Sequence, residues 1–270
     1  MKPLIRWVGG KTKLLKEIRK HVPCDIKRYI EPFVGGGAVL LDIDANIPAI
    51  ASDSNWDLIN FYRVLKESPE DLVYEFRGFG NDETSYYKTR DWDRQEDGWF
   101  DSITPLARAA RFLYLNKTSF QGLWRVNKKG QHNVPYSHPK KININDSDVA
   151  CVSARLQTVD FVCEDFENAI DRASDGDFIY VDPPYIPVDN SKAFVGYTDG
   201  LFHYSDQVRL RDALVRAGER GARFLASNSD TQLSRELYKN FTIETVQVKR
   251  LVAPNSESRV KITEILVRNF

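Results

Sequence analysis

Cysteine is scarce in this chain: Cys24, Cys151 and Cys163 are the only three, and no two form a Cys-x-x-Cys pair. That excludes a disulfide framework and a zinc knuckle as organising devices, and makes a reducing cytosol the default setting. No apolar run comes near the roughly 18–20 residues that a membrane helix needs. No signal peptide is expected either, because Arg6, Lys11 and Lys13 interrupt any apolar core after Met1. Internal repeats and low-complexity tracts are missing, which removes solenoids and linker-like chains. Net charge is missing too, with 38 Lys and Arg against 38 Asp and Glu. What is present, 270 residues of which 42% are hydrophobic and 28% charged, suits one large soluble α/β domain or a core carrying a smaller insertion.

The neutral total hides a segregation. Between Glu67 and Asp101 lie Glu67, Glu70, Asp71, Glu75, Asp82, Glu83, Asp91, Asp93, Glu96, Asp97 and Asp101, opposed by Arg77, Lys88, Arg90 and Arg94. Between Leu106 and Lys141 the bases Arg108, Arg111, Lys117, Arg125, Lys128, Lys129, Lys140 and Lys141 occur without a single acid. Phe112, Tyr114, Phe120, Trp124, His132, Tyr136 and His138 are interleaved with them. Bases among aromatics suit a surface that neutralises phosphates and offers rings to bases. A solvated basic face beside an acidic one has the same composition, and charge alone leaves both readings open.

Hydrophobic periodicity supplies the scaffold. Leu14, Leu15 and Ile18 recur at helical spacing, and a short strand over Arg28–Glu31 runs into Pro32-Phe33-Val34-Gly35-Gly36-Gly37. Ala38–Leu41 reads as the start of a helix, and a buried strand at Ala49–Ser52 delivers Asp53 at its carboxyl end. Ser54 or Asn55 is placed to cap the helix that follows. The middle of the chain is helical and irregular, with its clearest helix running from Pro105 to about Asn116. Strands then follow at Phe178–Val181 and Arg223–Ala226, separated by a helix capped by Ser205 and ending near Gly221. Thr242–Lys249 and Lys261–Arg268 alternate like a closing antiparallel pair. The expected fold is α/β, with a core at 1–58 and 150–270 and an insertion at 59–149.

Two motifs carry chemistry. Gly35-Gly36-Gly37 lets the backbone approach a ligand or simply makes a tight turn, and Asp53 stands where an acid holds two ribose hydroxyls. The clustered glycines depart from Gly-x-Gly-x-x-Gly, so an adenosine pocket is better supported than a pyrophosphate cradle. Asp182-Pro183-Pro184-Tyr185 follows a buried strand. Its prolines fix the backbone and leave carbonyls without neighbouring N–H groups. A carboxylate and a main-chain carbonyl there can accept both hydrogens of one amino group, while Tyr185 stacks on a flat ring. An amine conjugated into a heterocycle is poorly nucleophilic. Holding its N–H groups in acceptor bonds turns the nitrogen tetrahedral, and the carboxylate stabilises the positive charge that develops there.

With these motifs in order, the chain resembles the Dam-type DNA adenine-N6 methyltransferases, α group. Trp7-Val8-Gly9-Gly10-Lys11 resembles that family's N-terminal cofactor motif, Glu31–Gly37 its Phe-x-Gly-x-Gly motif, and Asp182–Tyr185 its catalytic motif. Tyr114-Leu115-Asn116, Gly122–Arg125 and Asn133–Tyr136 resemble its target-recognition region. The resemblance implies a Rossmann-like methyltransferase sheet flanked by helices, with an inserted, mainly helical DNA-recognition domain bearing a β-hairpin. It implies S-adenosylmethionine (SAM) as methyl donor, no metal, and a flipped adenine in double-stranded GATC as target. Trp7, Gly9, Gly10, Lys11, Glu31, Phe33, Gly35, Asp53, Asp165, Phe166 and Asp182 would contact SAM, with Asp165 and Phe166 at its adenine. Asp182, the Pro183 carbonyl and Tyr185 would form the catalytic site. Arg125 would read a guanine through O6 and N7, Phe120 would wedge into the base stack, and Leu123 and Pro135 would pack beside it. Arg6 would meet the first guanine.

Several residues depart from the family pattern. Arg6 replaces a lysine and Phe120 a tyrosine found in other members, and Ser137-His138 replace a Gly-basic pair. Asn228, after a strand, reads as part of the flipped-base pocket or as a strand-end turn. A cytosine-N4 methyltransferase needs the same amine chemistry but more often has Ser before Pro-Pro-Tyr, and an inactive DNA-binding module would not need Asp182 and Tyr185. The resemblance further implies a bacterial cytoplasmic enzyme or a phage-encoded one, without membrane contact, and a restriction nuclease acting on the same site without stable binding.

Overall fold

The computed structural model describes residues 1–95, 98–188, 202–249 and 261–270; the acids Glu96 and Asp97 lie outside them. A seven-stranded mixed sheet is built from β1 Arg28–Glu31, β2 Ala49–Asp53, β3 Val159–Cys163, β4 Asp177–Val181, β5 Arg223–Ser229, β6 Thr242–Lys249 and β7 Lys261–Arg268. Its order is β3-β2-β1-β4-β5-β7-β6. β1 pairs in parallel with β2 and with β4, β4 pairs in parallel with β5, and β7 lies antiparallel between β5 and β6. The continuous apolar run of β4 is what a strand covered on both faces requires, and all five of its residues are buried. Strand order reverses direction between β1 and β4. In open α/β sheets that switch point is where ligands bind, outside the carboxyl ends of the strands. Those ends here are Glu31-Pro32-Phe33 and Asp182-Pro183-Pro184-Tyr185.

The chain divides into two compact units. One gathers Lys13–Val34, Asn46–Ser54 and Glu164–Phe270, which include six of these strands. Its core holds Tyr29, Ile30, Phe178, Ile179, Phe224, Leu225 and Ile265, each fully buried. The second unit gathers Met1–Thr12, Gly35–Ala45 and Asn55–Cys163. The N-terminal segment and the Gly-rich turn belong to this second unit.

The α-helices among the described residues are α1 Leu15–Ile18, α2 Trp56–Glu67, α3 Pro69–Arg77, α4 Glu83–Arg90, α5 Trp99–Ser102, α6 Pro105–Thr118, α7 Asp146–Leu156, α8 Phe166–Asp171, α9 Tyr204–Glu219 and α10 Gln232–Leu237. Asn55 caps α2 through its side chain, which accepts from the Leu58 amide at 3.1 Å. Thr104 caps α6 in the same way, with Pro105 in the first turn where its missing N–H costs nothing. The second unit is organised on α6. Phe112, Leu113, Tyr114 and Leu115 are all buried there, each contributing about 1.5–3 kcal/mol of apolar transfer. Arg111, only 2% exposed, is satisfied by the Asp93 carboxylate at 2.7 Å and by the carbonyls of Thr89 and Arg90.

Two helix boundaries differ from the sequence reading. Ala38–Leu41 starts no α-helix; only a 3₁₀ turn at Leu40–Asp42 forms. The buried Arg155 guanidinium donates to the carbonyls of Leu40 and Ile43, so those acceptors do not carry a helix forward. The helix expected to be capped by Ser205 begins at Tyr204, and the Asp206 carboxylate accepts from the His203 amide at 2.8 Å.

Candidate active site

In the sheet unit, β4 ends by presenting Asp182. Ser227 of β5 donates its hydroxyl to Asp182 Oδ1 at 3.0 Å, while the Ser227 Oγ and Tyr180 Oη lie 3.3 Å apart. Both serine and tyrosine are fully buried. Parallel pairing of Val181 with Ala226 sets this geometry, because it places Ser227 beside the residue that follows β4. Pro183 is buried and Tyr185 half-buried. The Gln207 amide donates to the Pro184 carbonyl at 2.6 Å, so that acceptor is taken. The Tyr185 phenol donates to Glu264 Oε2 at 2.8 Å. Burial first, and the Asp182 charge second, push the phenols of Tyr180 and Tyr185 well above their ordinary range, so both stay protonated as donors.

Asn228 resolves as a brace for the backbone after this motif. It is 1% exposed; its Oδ1 accepts from the Ile186 amide at 3.1 Å and its Nδ2 donates to Gln207 Oε1 at 3.1 Å. Ser227, Gln207 and Glu264 were not singled out from the sequence. Polar residues inside otherwise apolar strands were the available signal for Ser227 and Glu264.

The neighbouring strand ends add acids and rings. Glu31, 3% exposed, accepts from the Tyr29 phenol at 2.8 Å. Asp53 closes β2, and its carbonyl accepts from the Glu164 amide at 3.3 Å. Asp165 caps α8 by accepting from the Glu167 amide at 3.0 Å, and also receives Arg209 at 2.9 Å. Phe33 stacks on Phe166 with ring centres 5.3 Å apart, and the Arg209 guanidinium lies 4.9 Å from the Phe166 ring centre. Carboxylates and flat rings at strand ends form a donor set for a ligand carrying hydroxyls, a positive centre and a heterocycle.

In the second unit, Lys11 is buried and donates to the Gly9 carbonyl at 2.7 Å. The Gly-rich turn is shaped by close packing. Gly35 has φ +45°, and a Cβ there would lie 2.6 Å from Trp7 Cδ1; the Tyr62 phenol donates to the Gly35 carbonyl at 2.9 Å. Asn116, 1% exposed, joins two segments expected to meet DNA. It accepts from the Arg6 amide at 2.9 Å and donates to the carbonyls of Arg6 at 2.8 Å and Gly122 at 3.1 Å.

Beyond α6 the chain makes a hairpin-like excursion. Single antiparallel bridges join Ser119 to Tyr136 and Val126 to His132, and the tip closes from Asn127 to Gln131. Gln121 and Gly122 both have positive φ, which turns the chain sharply and leaves Phe120 50% exposed. Phe120 and Pro135 are adjacent, the Phe120 amide donating to the Pro135 carbonyl at 2.9 Å; Leu123 is half-buried. Arg125 Nε donates to Asn133 Oδ1 at 2.7 Å, which presents an exposed guanidinium in a fixed direction. Thus Arg6, Phe120, Leu123, Arg125 and Pro135 all lie in one unit with Trp7, Gly9, Gly10, Lys11 and Gly35, whereas Asp182, Pro183, Tyr185, Glu31, Phe33, Asp53, Asp165 and Phe166 lie in the other.

A carboxylate, a rigid Pro-Pro backbone and a ring at the switch point of an open α/β sheet define an enzyme of the group-transfer class that acts on a planar amine. Residues 7–252 match the family described as D12 class N6 adenine-specific DNA methyltransferase, and the chain belongs to it. It is similar to Type II methyltransferase M1.LlaDCHI of Lactococcus lactis subsp. cremoris, at 40% identity over 100% of this chain and 96% of the relative. It is also similar to the DNA adenine methylase of Escherichia coli (strain K12), at 33% identity over 97% and 93%. The family is one of adenine-N6 enzymes, which answers both the cytosine-N4 alternative and that of an inactive DNA-binding module.

Proposed function

We propose that this enzyme transfers a methyl group from SAM to N6 of an adenine flipped out of double-stranded DNA, within GATC. The observation that carries the reading is Asp182 Oδ1, held by Ser227 at 3.0 Å and followed directly by a proline whose carbonyl has no N–H beside it. SAM, when bound, supplies a methyl group on a sulfonium sulfur. The donor set fits it: Asp53 suits ribose hydroxyls, Glu31 the cationic end, and Asp165 with stacked Phe33 and Phe166 a flat purine. Trp7, Gly9, Gly10, Lys11 and Gly35 are assigned to the same ligand by the family resemblance.

Asp182 and the Pro183 carbonyl accept the two N6 hydrogens, which returns the nitrogen lone pair from the ring to the nucleophile. SAM would supply the methyl group and be left as a neutral thioether; Asp182 stabilises the positive charge that develops on N6, and the N6 proton then lost passes by way of Asp182 to solvent. Tyr185 stacks on the extruded base. Arg125 reads a guanine edge through O6 and N7, Phe120 occupies the stack, Leu123 and Pro135 make apolar contacts, and Arg6 meets the first guanine. The inserted segment 59–149 is the recognition domain, and a cognate restriction nuclease shares the site without stable binding, as the Type II name of a relative suggests. The enzyme acts on DNA in the cytoplasm. Among the described residues no helix is long and apolar enough to cross a membrane.

The test is methylation of unmodified plasmid, followed by nucleases that do or do not tolerate methylated GATC. Protection confined to GATC supports reaction, base and site together. Methylation of other adenines keeps the reaction and overturns the site. No methylation of DNA, with SAM bound, overturns the reading.

A further inference from the structure

β7 brings a buried carboxylate to the Asp182–Tyr185 motif. Glu264 is 2% exposed, and its register opposite Ser229 of β5 sets it beside the end of that strand. Its Oε2 accepts the Tyr185 phenol at 2.8 Å. Tyr185 is thereby held at both ends. Its backbone follows two prolines, and the brace from Asn228 to the Ile186 amide closes the other side. The ring's far end is tied to β7, which is paired on both sides, by β5 and β6. Root and tip define the ring's long axis, and because a phenol O–H prefers to lie in the ring plane, the direction of the Glu264 carboxylate also biases the rotation of the ring about that axis.

We propose that Glu264 is a positioning residue for methyl transfer: it fixes the plane of the Tyr185 ring against the target base. This rests on the reading in which Tyr185 stacks on the extruded adenine. Stacking demands near-parallel planes, and a ring free to rotate at its tip spends part of its time edge-on to the base. A carboxylate acceptor also makes the phenol ring richer in electrons than a neutral acceptor would. Its face then attracts the positive charge that grows on the amine during transfer. A structural role in the sheet alone would not pass through the Tyr185 hydroxyl.

The experiment compares Glu264→Leu, Glu264→Gln, Tyr185→Phe and the double variant Glu264→Leu/Tyr185→Phe in the full-length enzyme. Each is assayed for kcat, for SAM affinity by calorimetry, and for base extrusion by fluorescence of duplex carrying 2-aminopurine at the target. Loss of one charge-assisted bond corresponds to a fall on the order of tenfold in kcat for Glu264→Leu and for Tyr185→Phe. The double variant is expected to be no slower than either single one, with SAM affinity unchanged. Glu264→Gln, which keeps an acceptor, recovers most of the rate. Wild-type kcat in Tyr185→Phe overturns the proposal, and so does a double variant whose losses multiply. Should Glu264→Leu fail to fold, Tyr185→Phe and Glu264→Gln still decide it. Asp182→Ala is run alongside. If that variant keeps its activity, the catalytic reading itself falls; if it is inactive while the cycle is additive, only the role of Glu264 falls.

Discussion

Replacing Asn116 tests whether one buried amide holds the N-terminal segment to the turn at Gly122. Its side chain makes three hydrogen bonds to backbone groups of Arg6 and Gly122, at 2.8–3.1 Å, and is 1% exposed. A typical net value of about 1 kcal/mol for each bond gives about 3 kcal/mol lost in Asn116→Ala. For 270 residues that lowers the unfolding temperature by about 5 °C. Asn116→Asp keeps the acceptor for the Arg6 amide but turns a carboxylate oxygen toward two carbonyl oxygens. It is therefore expected to be at least as unstable as the alanine variant. Thermal unfolding followed by circular dichroism reads the first effect. Competition between GATC and singly altered duplexes reads the second, a loss of discrimination, because Arg6 and the turn at Gly122 lose their common anchor. An alanine variant that unfolds within about 2 °C of the wild type, or an aspartate variant more stable than the alanine one, would refute the reasoning.

Other perturbations give distinct readouts. Ser227→Ala removes the bond to Asp182 and should lower kcat/KM about 10- to 100-fold, with SAM affinity retained in calorimetry; an unchanged rate would show that Asp182 needs no orientation. Gly35→Ala sets a Cβ 2.6 Å from Trp7 Cδ1 at a φ of +45°, so thermal stability should fall by roughly 1–3 kcal/mol; unchanged stability would mean that the turn relaxes freely. Arg125→Ala should cost about 1–3 kcal/mol of discrimination at one guanine, measured with single-base duplex variants; an unaltered preference assigns the readout elsewhere. His132 is fully buried, and desolvation followed by the Arg111 charge lowers its pKa to about 4. Because the folded pKa lies below the unfolded one, the unfolded chain binds the proton first. Stability is therefore lost as pH falls from about 6.5 to about 4, by roughly 3 kcal/mol in all. His132→Gln should remove that part of the acid dependence, and a variant with the wild-type profile would assign it to other groups.

Local rules made much of the scaffold legible. β1 occupies Arg28–Glu31, where buried Tyr29 and Ile30 and the following Pro32 mark its extent, and Asn55 caps α2 because its side chain reaches the Leu58 amide three residues on. The motif Asp182–Tyr185 stands out because it sets a carboxylate, two prolines and an aromatic ring directly after a buried strand. No α-helix continues from Ala38–Leu41 because Arg155 takes the carbonyls of Leu40, 115 positions earlier, and Ile43, 112 positions earlier. Window periodicity carries no information about such a donor.

The sequence by itself determined six of the seven strands, the Asn55 cap and the charge segregation, and it singled out Asp182–Tyr185, since each depends on neighbours within a few residues. Tertiary structure alone decided what surrounds that motif. Ser227 reaches Asp182 across 45 positions and Glu264 reaches Tyr185 across 79. Strand order and register make those meetings, with β4 parallel to β5 and β5 antiparallel to β7. A hydrogen bond acts over about 3 Å of space whatever the separation along the chain, so the sheet, rather than local pattern, chooses which side chains orient the acid and the ring.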